Sequence, residues 1–453
     1  MNINKNDVLW NYAATFLKIA SSALLLPLIL TMMSSEKVGI YIVFMTISSF
    51  ALLLDFGFNS SFTRNVTYVF SGVKSLKKQG YEKLSIDEST VDYSLLKSLI
   101  SVMKRFYRTL SIILFALLIT VGSCYINYLL KEYQGDLNEV YIAWVMLIII
   151  NTYNIYTLYY GALLLGKGLV KKSKQITIIG QILFLIVAAF LIIYGYGLIA
   201  IFTAQGLSVI IIRILSKKAF YTDQIIKDLK LSFEHSNKEI FNAVYPNSLK
   251  IGITSLGAFL VHRSTIIIGS LYLSLENIAS FGVTLQIIAV VSGLAGIFTT
   301  TFLPKISELR IRDNNIKIKK IYLKGQLRIF LIFLFGSISV LLLGEWAINF
   351  LGSSTKLISN SLIIYMLIFA FFESNHSIAG HILLTKNEVP FFKASILSGL
   401  GVIILLFIFL EYTNIGLFSL ILAPGIAQAV YQNWKWPMEV IKDLRITKDD
   451  FLT

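Results

Sequence analysis

Apolar positions along this chain come in long runs separated by short polar stretches, a pattern that predicts helices apolar all round rather than helices with one wet face. Twelve such runs lie near 8 to 33, 38 to 62, 107 to 130, 138 to 165, 175 to 194, 198 to 215, 246 to 270, 278 to 302, 323 to 350, 357 to 384, 391 to 411 and 417 to 434. About 20 mostly apolar residues cross the hydrocarbon core of a bilayer as a helix. Segments of alternating polarity, the mark of a membrane barrel, do not recur. The expected class is therefore all-α, a polytopic membrane protein with twelve transmembrane helices. One segment differs: between Asp92 and Tyr107, the residues Leu95, Leu96, Leu99, Ile100, Met103 and Phe106 share a face. It reads as an amphipathic helix lying on lipid before the third span. The first run follows Asn2, Asn4, Lys5, Asn6 and Asp7 and lacks a small-residue cleavage site, so it reads as a retained helix.

Composition supports the class, since 56% hydrophobic and 14% charged residues over 453 positions exceed what a soluble domain can hide. The charges then orient the chain. With the N-terminus inside, 35 of the 40 Lys and Arg fall in inside segments and three, Lys37, Lys131 and Lys356, fall outside. Both termini are thus expected in the cytoplasm. The net charge of +15 follows from this topology and from contact with anionic lipid, which leaves no call for nucleic acid.

A repeat divides the chain. Residues 161 to 206 slide without gaps onto 380 to 425, matching Gly161 with Gly380, Lys167 with Lys386, Lys174 with Lys393, Gly180 with Gly399, Gly197 with Gly416 and Gly206 with Gly425. Spans four to six therefore repeat as spans ten to twelve. Six spans per half is an even number, so the repeats are parallel. The expected organisation is an N-terminal six-helix bundle over 1 to 215, a cytoplasmic linker over 216 to 245, a C-terminal bundle over 246 to 434 and a cytoplasmic tail over 435 to 453. Two such halves permit alternating access.

The two basic residues left over, Lys18 and Arg263, sit within spans one and seven. Charge in the membrane is costly and normally faces a wet cavity or a partner. Corresponding places in the two halves suggest that they face each other across an anion site, with the Arg fork suited to phosphate oxygens. The alternatives are that Glu373 or Asp55 neutralises Arg263, or that Lys18 snorkels to the interface. Asp55, in DFGFNSSFTRN, is a candidate for charge pairing or ion coupling, with Arg64 nine residues on at the boundary. In span ten, Glu373, His376, Ser377 and Gly380 form one stripe, and Glu373 with His376 could carry a proton. The repeat-related stripe in span four holds Asn154, Thr157 and Gly161, flanked by Tyr153, Tyr156 and Tyr160. Amides, hydroxyls and rings suit sugars, and they serve equally as interhelical glue. His262 and His381 read as packed, hydrogen-bonded side chains.

Catalytic chemistry has no visible foothold. The sequence holds no GxxxxGK[ST] and no HExxH, and its outside loops of about three to seven residues are too short to hold an enzyme's chemistry. The single cysteine, Cys124, excludes a disulfide and a cysteine metal cluster. No cofactor, no metal site and no enzyme activity are expected.

The asparagine-rich start followed by TFLKIASSALLLPLIL, the VGIY at 38 to 41, the DFGFNSSFTRN closing span two and the TFLPKISEL closing span eight together resemble polysaccharide transporters of the multidrug/oligosaccharidyl-lipid/polysaccharide exporter superfamily. Within it the chain is similar to O-antigen flippases of the Wzx type. The resemblance implies a MATE-like fold and translocation of an undecaprenyl-pyrophosphate-linked oligosaccharide from the inner to the outer leaflet of the bacterial inner membrane. It implies a cationic cavity with Lys18, Arg64 and Arg263 in place, and a role in polysaccharide biosynthesis with contacts to assembly proteins. Coupling to H+ or Na+ stays open, and a monomer is expected. The rivals are a cation-coupled multidrug extruder of the same superfamily and, from another class, a membrane polymerase or glycosyltransferase.

Overall fold

The computed structural model describes residues 10, 17, 21, 24 to 76, 91 to 233, 237 to 311, 314 to 386, 390 to 447 and 450. Among these residues the protein is helical throughout, as expected, and nine helices are long and apolar enough to cross a membrane. The chain separates into two compact units, Met1–Met32 with Phe44–Ser255, and Met33–Val43 with Leu256–Thr453.

Helix α1 (Ser35–Leu53), whose part from Phe44 on belongs to the first unit, is followed by α2 (Phe58–Phe70), and the break between them falls at Leu54 to Gly57. Phe56 and Gly57 both adopt positive φ there, 46° and 71°. Helix α3 (Tyr93–Leu117) runs on through a π-helical turn at Leu118–Gly122 to Leu129. Asp92 caps its start by accepting the Leu95 N–H at 2.9 Å. The amphipathic segment at its beginning does not lie on lipid: Leu95, Leu96, Leu99, Ile100, Met103 and Tyr107 are buried in the unit. Their stripe continues into the third span, so the bundle covers it, and the interfacial reading is corrected. Helices α4 (Leu137–Tyr156) and α5 (Tyr159–Gly166) form span four with a break at Thr157 and Leu158, and α6 (Val170–Ile193) and α7 (Gly197–Phe220) form the next two spans. The short α8 (Asp223–Leu231) follows.

Helix α9 (Asn237–His262) leads into the second unit and is interrupted at Arg263 before α10 (Ser264–Gly269). Helices α11 (Leu275–Ile311) and α12 (Asn315–Phe350) extend well beyond bilayer length. Helices α13 (Asn360–Leu384), α14 (Phe392–Tyr412), α15 (Phe418–Ala429) and α16 (Gln432–Asp443) complete the unit.

The repeat is visible in backbone and packing. Gly197 and Gly416, matched in sequence, enter α7 and the turn before α15 with φ of 49° and 52°, a left-handed conformation that a side chain would strain. At Gly197 a side chain would also strike Glu139, whose Oε1 accepts the Leu198 N–H at 2.7 Å and caps α7. Gly206 packs against Ile150, and its counterpart Gly425 packs against Phe369, the residue at the same offset of 219.

Candidate functional site

In the first unit the helix break at Leu54 to Gly57 places Asp55 at the start of α2. Its carboxylate accepts the Asn59 N–H, 3.1 Å to Oδ1 and 3.0 Å to Oδ2. Across the unit, the Tyr107 hydroxyl donates to Oδ1 at 2.6 Å. Asp55 and Tyr107 are both buried, and burial makes each such bond costly to lose.

Beside Tyr107 stands a cation that sequence reasoning assigned to the cytoplasmic side. Arg213, on α7, donates from Nη2 to Asn154 Oδ1 at 2.6 Å, and its Nε is buried without a hydrogen-bond partner. Tyr107 and Tyr153 lie beside the guanidinium. No acid among the described residues forms an ion pair with it. The signal was present, since Arg213 lies inside the apolar run 198 to 215; two residues of distance from its end made it look like a boundary charge. The flanking rings continue the cluster, with Tyr159 and Tyr160 centroids 4.3 Å apart and Tyr160 and Tyr221 6.4 Å apart.

The other span-four candidates do different things. Thr157 is buried and its hydroxyl donates to the Tyr153 carbonyl at 2.7 Å, as does many a Thr in a membrane helix. Tyr156 is exposed. Arg64 is exposed on α2. Lys18 lies outside the described residues.

In the second unit the pairing runs between α9, α13, α15 and α16. His262 Nδ1 and Glu373 Oε1 are 2.9 Å apart. The Gln428 amide donates to the other Glu373 oxygen at 3.3 Å, and His376 Nδ1 donates to Asn433 Oδ1 at 2.8 Å. The stripe of span ten therefore meets α9, α15 and α16 through specific hydrogen bonds. Arg263 stands at the interruption after α9, exposed, with its backbone N–H bonded to the Phe259 carbonyl at 2.8 Å. Its side chain has no acidic partner among the described residues, so Glu373 does not neutralise it. His381 Nδ1 is buried with no partner among them either, whereas a hydrogen-bonded ring was expected. No group of three His, Cys, Asp or Glu residues suited to a metal forms among the described residues.

The geometry defines a class: a helical membrane protein with Arg213 set beside an amide and tyrosine rings in an apolar span of the first unit, and with Arg263 exposed at a helix interruption in the second. Its fold is that of the MATE and related transporters. The structure is similar over 96% of both chains to an inward-facing multidrug resistance MATE family transporter of the MOP superfamily, with a TM-score of 0.65 and 15% identity. It is similar to the lipid II flippase MurJ in an inward closed conformation, with a TM-score of 0.63, 17% identity, and coverage of 98% of this chain and 89% of that one. A MOP superfamily transporter from Pyrococcus furiosus, described as having a binding pocket of reversed polarity, matches with a TM-score of 0.51, 16% identity and coverage of 98% and 94%. No family model and no curated protein matches the sequence.

Proposed function

We propose that the chain is a flippase moving an undecaprenyl-pyrophosphate-linked oligosaccharide, an O-antigen or related polysaccharide repeat unit, from the inner to the outer leaflet of the bacterial inner membrane by alternating access. Arg263 carries the reading: a permanent cation at a helix interruption within the apolar run 246 to 270, unpaired by any acid among the described residues. Such a charge needs water or an anion, and a guanidinium fork matches pyrophosphate oxygens. Glu373, one of the two counter-ions weighed for Arg263 from the sequence, is engaged by His262 and Gln428 instead. Arg213, held by the neutral Asn154 among tyrosines, supplies a second cation with ring and amide groups around it. These are the groups an anionic, sugar-bearing lipid uses. The cargo of one protein of the same fold, a lipid II flippase, points the same way.

The second reading is a cation-coupled multidrug extruder, favoured by the acids Asp55 and Glu373 and by the MATE neighbours. Both acids already accept hydrogen bonds from protein groups, and two arginines repel a cationic drug, so the anionic cargo is preferred.

The test is the leaflet distribution of undecaprenyl-linked oligosaccharide in cells lacking the gene, complemented with wild type or an equally expressed Arg263→Ala. The reading expects inner-leaflet accumulation relieved by wild type alone. Full outward delivery in the deletion, with no other flippase present, would reject it.

A further inference from the structure

We infer that the first unit carries a lateral site for an anionic phospholipid of the surrounding bilayer, where α6 begins and α7 ends. A cleft of about 620 Å³ lies there, lined by Trp10, Lys172, Gln175, Ile179, Leu215 and Lys218. None of these residues belongs to the Arg213 or Arg263 clusters.

Three features identify the occupant. Lys172 and Lys218 come from different helices, are exposed, and pair with no acid among the described residues. Two uncompensated cations on one cleft call for a phosphate, and basic pockets between membrane helices are recognised sites for anionic headgroups. The wall beside them is apolar: Ile176 is buried at 3%, while Ile179, Ile182, Ile186, Phe190 and Ile193 are exposed at helical spacing up α6. That track leads away from the lysines and suits an acyl chain. Trp10, half-buried at the cleft, has the amphipathic ring that settles at headgroup depth. A free phosphate would leave the isoleucine wall unused, and a zwitterionic lipid would bring its own cation to the lysines. An anionic phospholipid uses both halves of the cleft.

The experiment uses the full-length protein in detergent, titrated with phosphatidylglycerol carrying brominated chains. Bromine quenches nearby tryptophan, so wild type is expected to lose fluorescence that the Trp10→Phe protein does not. A Lys172→Gln/Lys218→Gln double variant, altered only at exposed positions, is expected to bind phosphatidylglycerol about tenfold or more weakly. A Lys317→Gln/Lys320→Gln control on α12 is expected to bind as wild type does. The inference is overturned by unchanged affinity in the cleft variant, by equal quenching from brominated phosphatidylcholine, or by displacement with millimolar inorganic phosphate. Displacement by equimolar undecaprenyl pyrophosphate would also overturn it, since the cleft would then belong to the cargo.

Discussion

Glu373 and His262 face each other across two helices at 2.9 Å, and neither is more than half exposed. Removing one partner leaves the other without its hydrogen bond, at a cost of about 1–3 kcal/mol. His262→Ala and Glu373→Ala should each lower stability by that amount. The double variant should cost less than the sum, with a coupling of about 0.5–3 kcal/mol. Thermal unfolding of the four purified proteins measures it, and strict additivity would show that the contact carries no energy of its own.

Arg213 and Arg263 should behave differently when truncated, because one is built into a contact and the other is not. Arg213→Ala strands the Asn154 carbonyl and should cost about 1–3 kcal/mol of stability. Arg263 is exposed and lacks an acidic partner among the described residues, so Arg263→Ala should stay within about 0.5 kcal/mol of wild type. Transport should nevertheless fall at least about tenfold in both, equal to about 1.4 kcal/mol of lost interaction with the cargo. Arg263→Ala transporting normally at wild-type abundance would assign Arg263 no part in binding.

The helical class and the repeat were legible in the sequence because both rest on periodicity and on glycine, whose role is fixed by backbone geometry. Gly197 and Gly416 match in sequence and share their left-handed φ. Partner choice was not legible. Hydropathy places Asp55, Glu373 and Arg213 at a depth along a helix, but which neighbour each meets depends on helix rotation and crossing, which no single-sequence period encodes. Thus Tyr107 emerged as the partner of Asp55, and His262 rather than Arg263 as the partner of Glu373. The amphipathic stripe at Leu95 to Met103 shows the same ambiguity, since an apolar face does not say whether protein or lipid will cover it.

Outside the spans, acid should release the contacts of Leu444 to Thr447 and Asp450. Asp450 sits well below the ordinary carboxylate value of 3.8, at about 2, held there first by the hydrogen bond from Lys319 Nζ at 2.8 Å and then by the Thr447 N–H and hydroxyl at 2.7 and 2.9 Å. Burial pushes the Asp443 carboxyl up, but hydrogen bonds from Lys386, at 3.0 Å, and from Arg310 outweigh it and leave it lowered. Carboxylates depressed on folding contribute stability that is complete above their unfolded value and lost as pH falls through the folded one. Leu444 to Thr447 and Asp450 should therefore stay docked at pH 5 and above, and detach progressively as pH drops from about 4 toward about 2. Hydrogen exchange at Leu444 to Thr447, corrected for intrinsic rates, reads the detachment. Asp450→Asn should free the segment at neutral pH and flatten the profile; a profile unchanged by that substitution would remove Asp450 from the clasp.

The two halves of the repeat should respond unequally to the same substitution. A Cβ on Gly206 would lie 3.3 Å from Ile150, whereas a Cβ on Gly425 would lie 2.5 Å from the Phe369 ring. The first contact is tight but yields to a small shift of a flexible methyl. The second requires an aromatic ring to move inside packed helices. Gly to Ala within a helix gains about 0.5–1 kcal/mol from lower backbone entropy loss, and that gain offsets the mild crowding at Gly206. Gly206→Ala should therefore fall within about 0.5 kcal/mol of wild type, while overpacking at Gly425→Ala should cost about 1–3 kcal/mol. Adding Phe369→Leu to Gly425→Ala should recover part of the loss by giving the new methyl room. Unfolding midpoints of the three proteins check it, and equal stability of Gly206→Ala and Gly425→Ala would mean that the Phe369 ring yields as freely as Ile150 does.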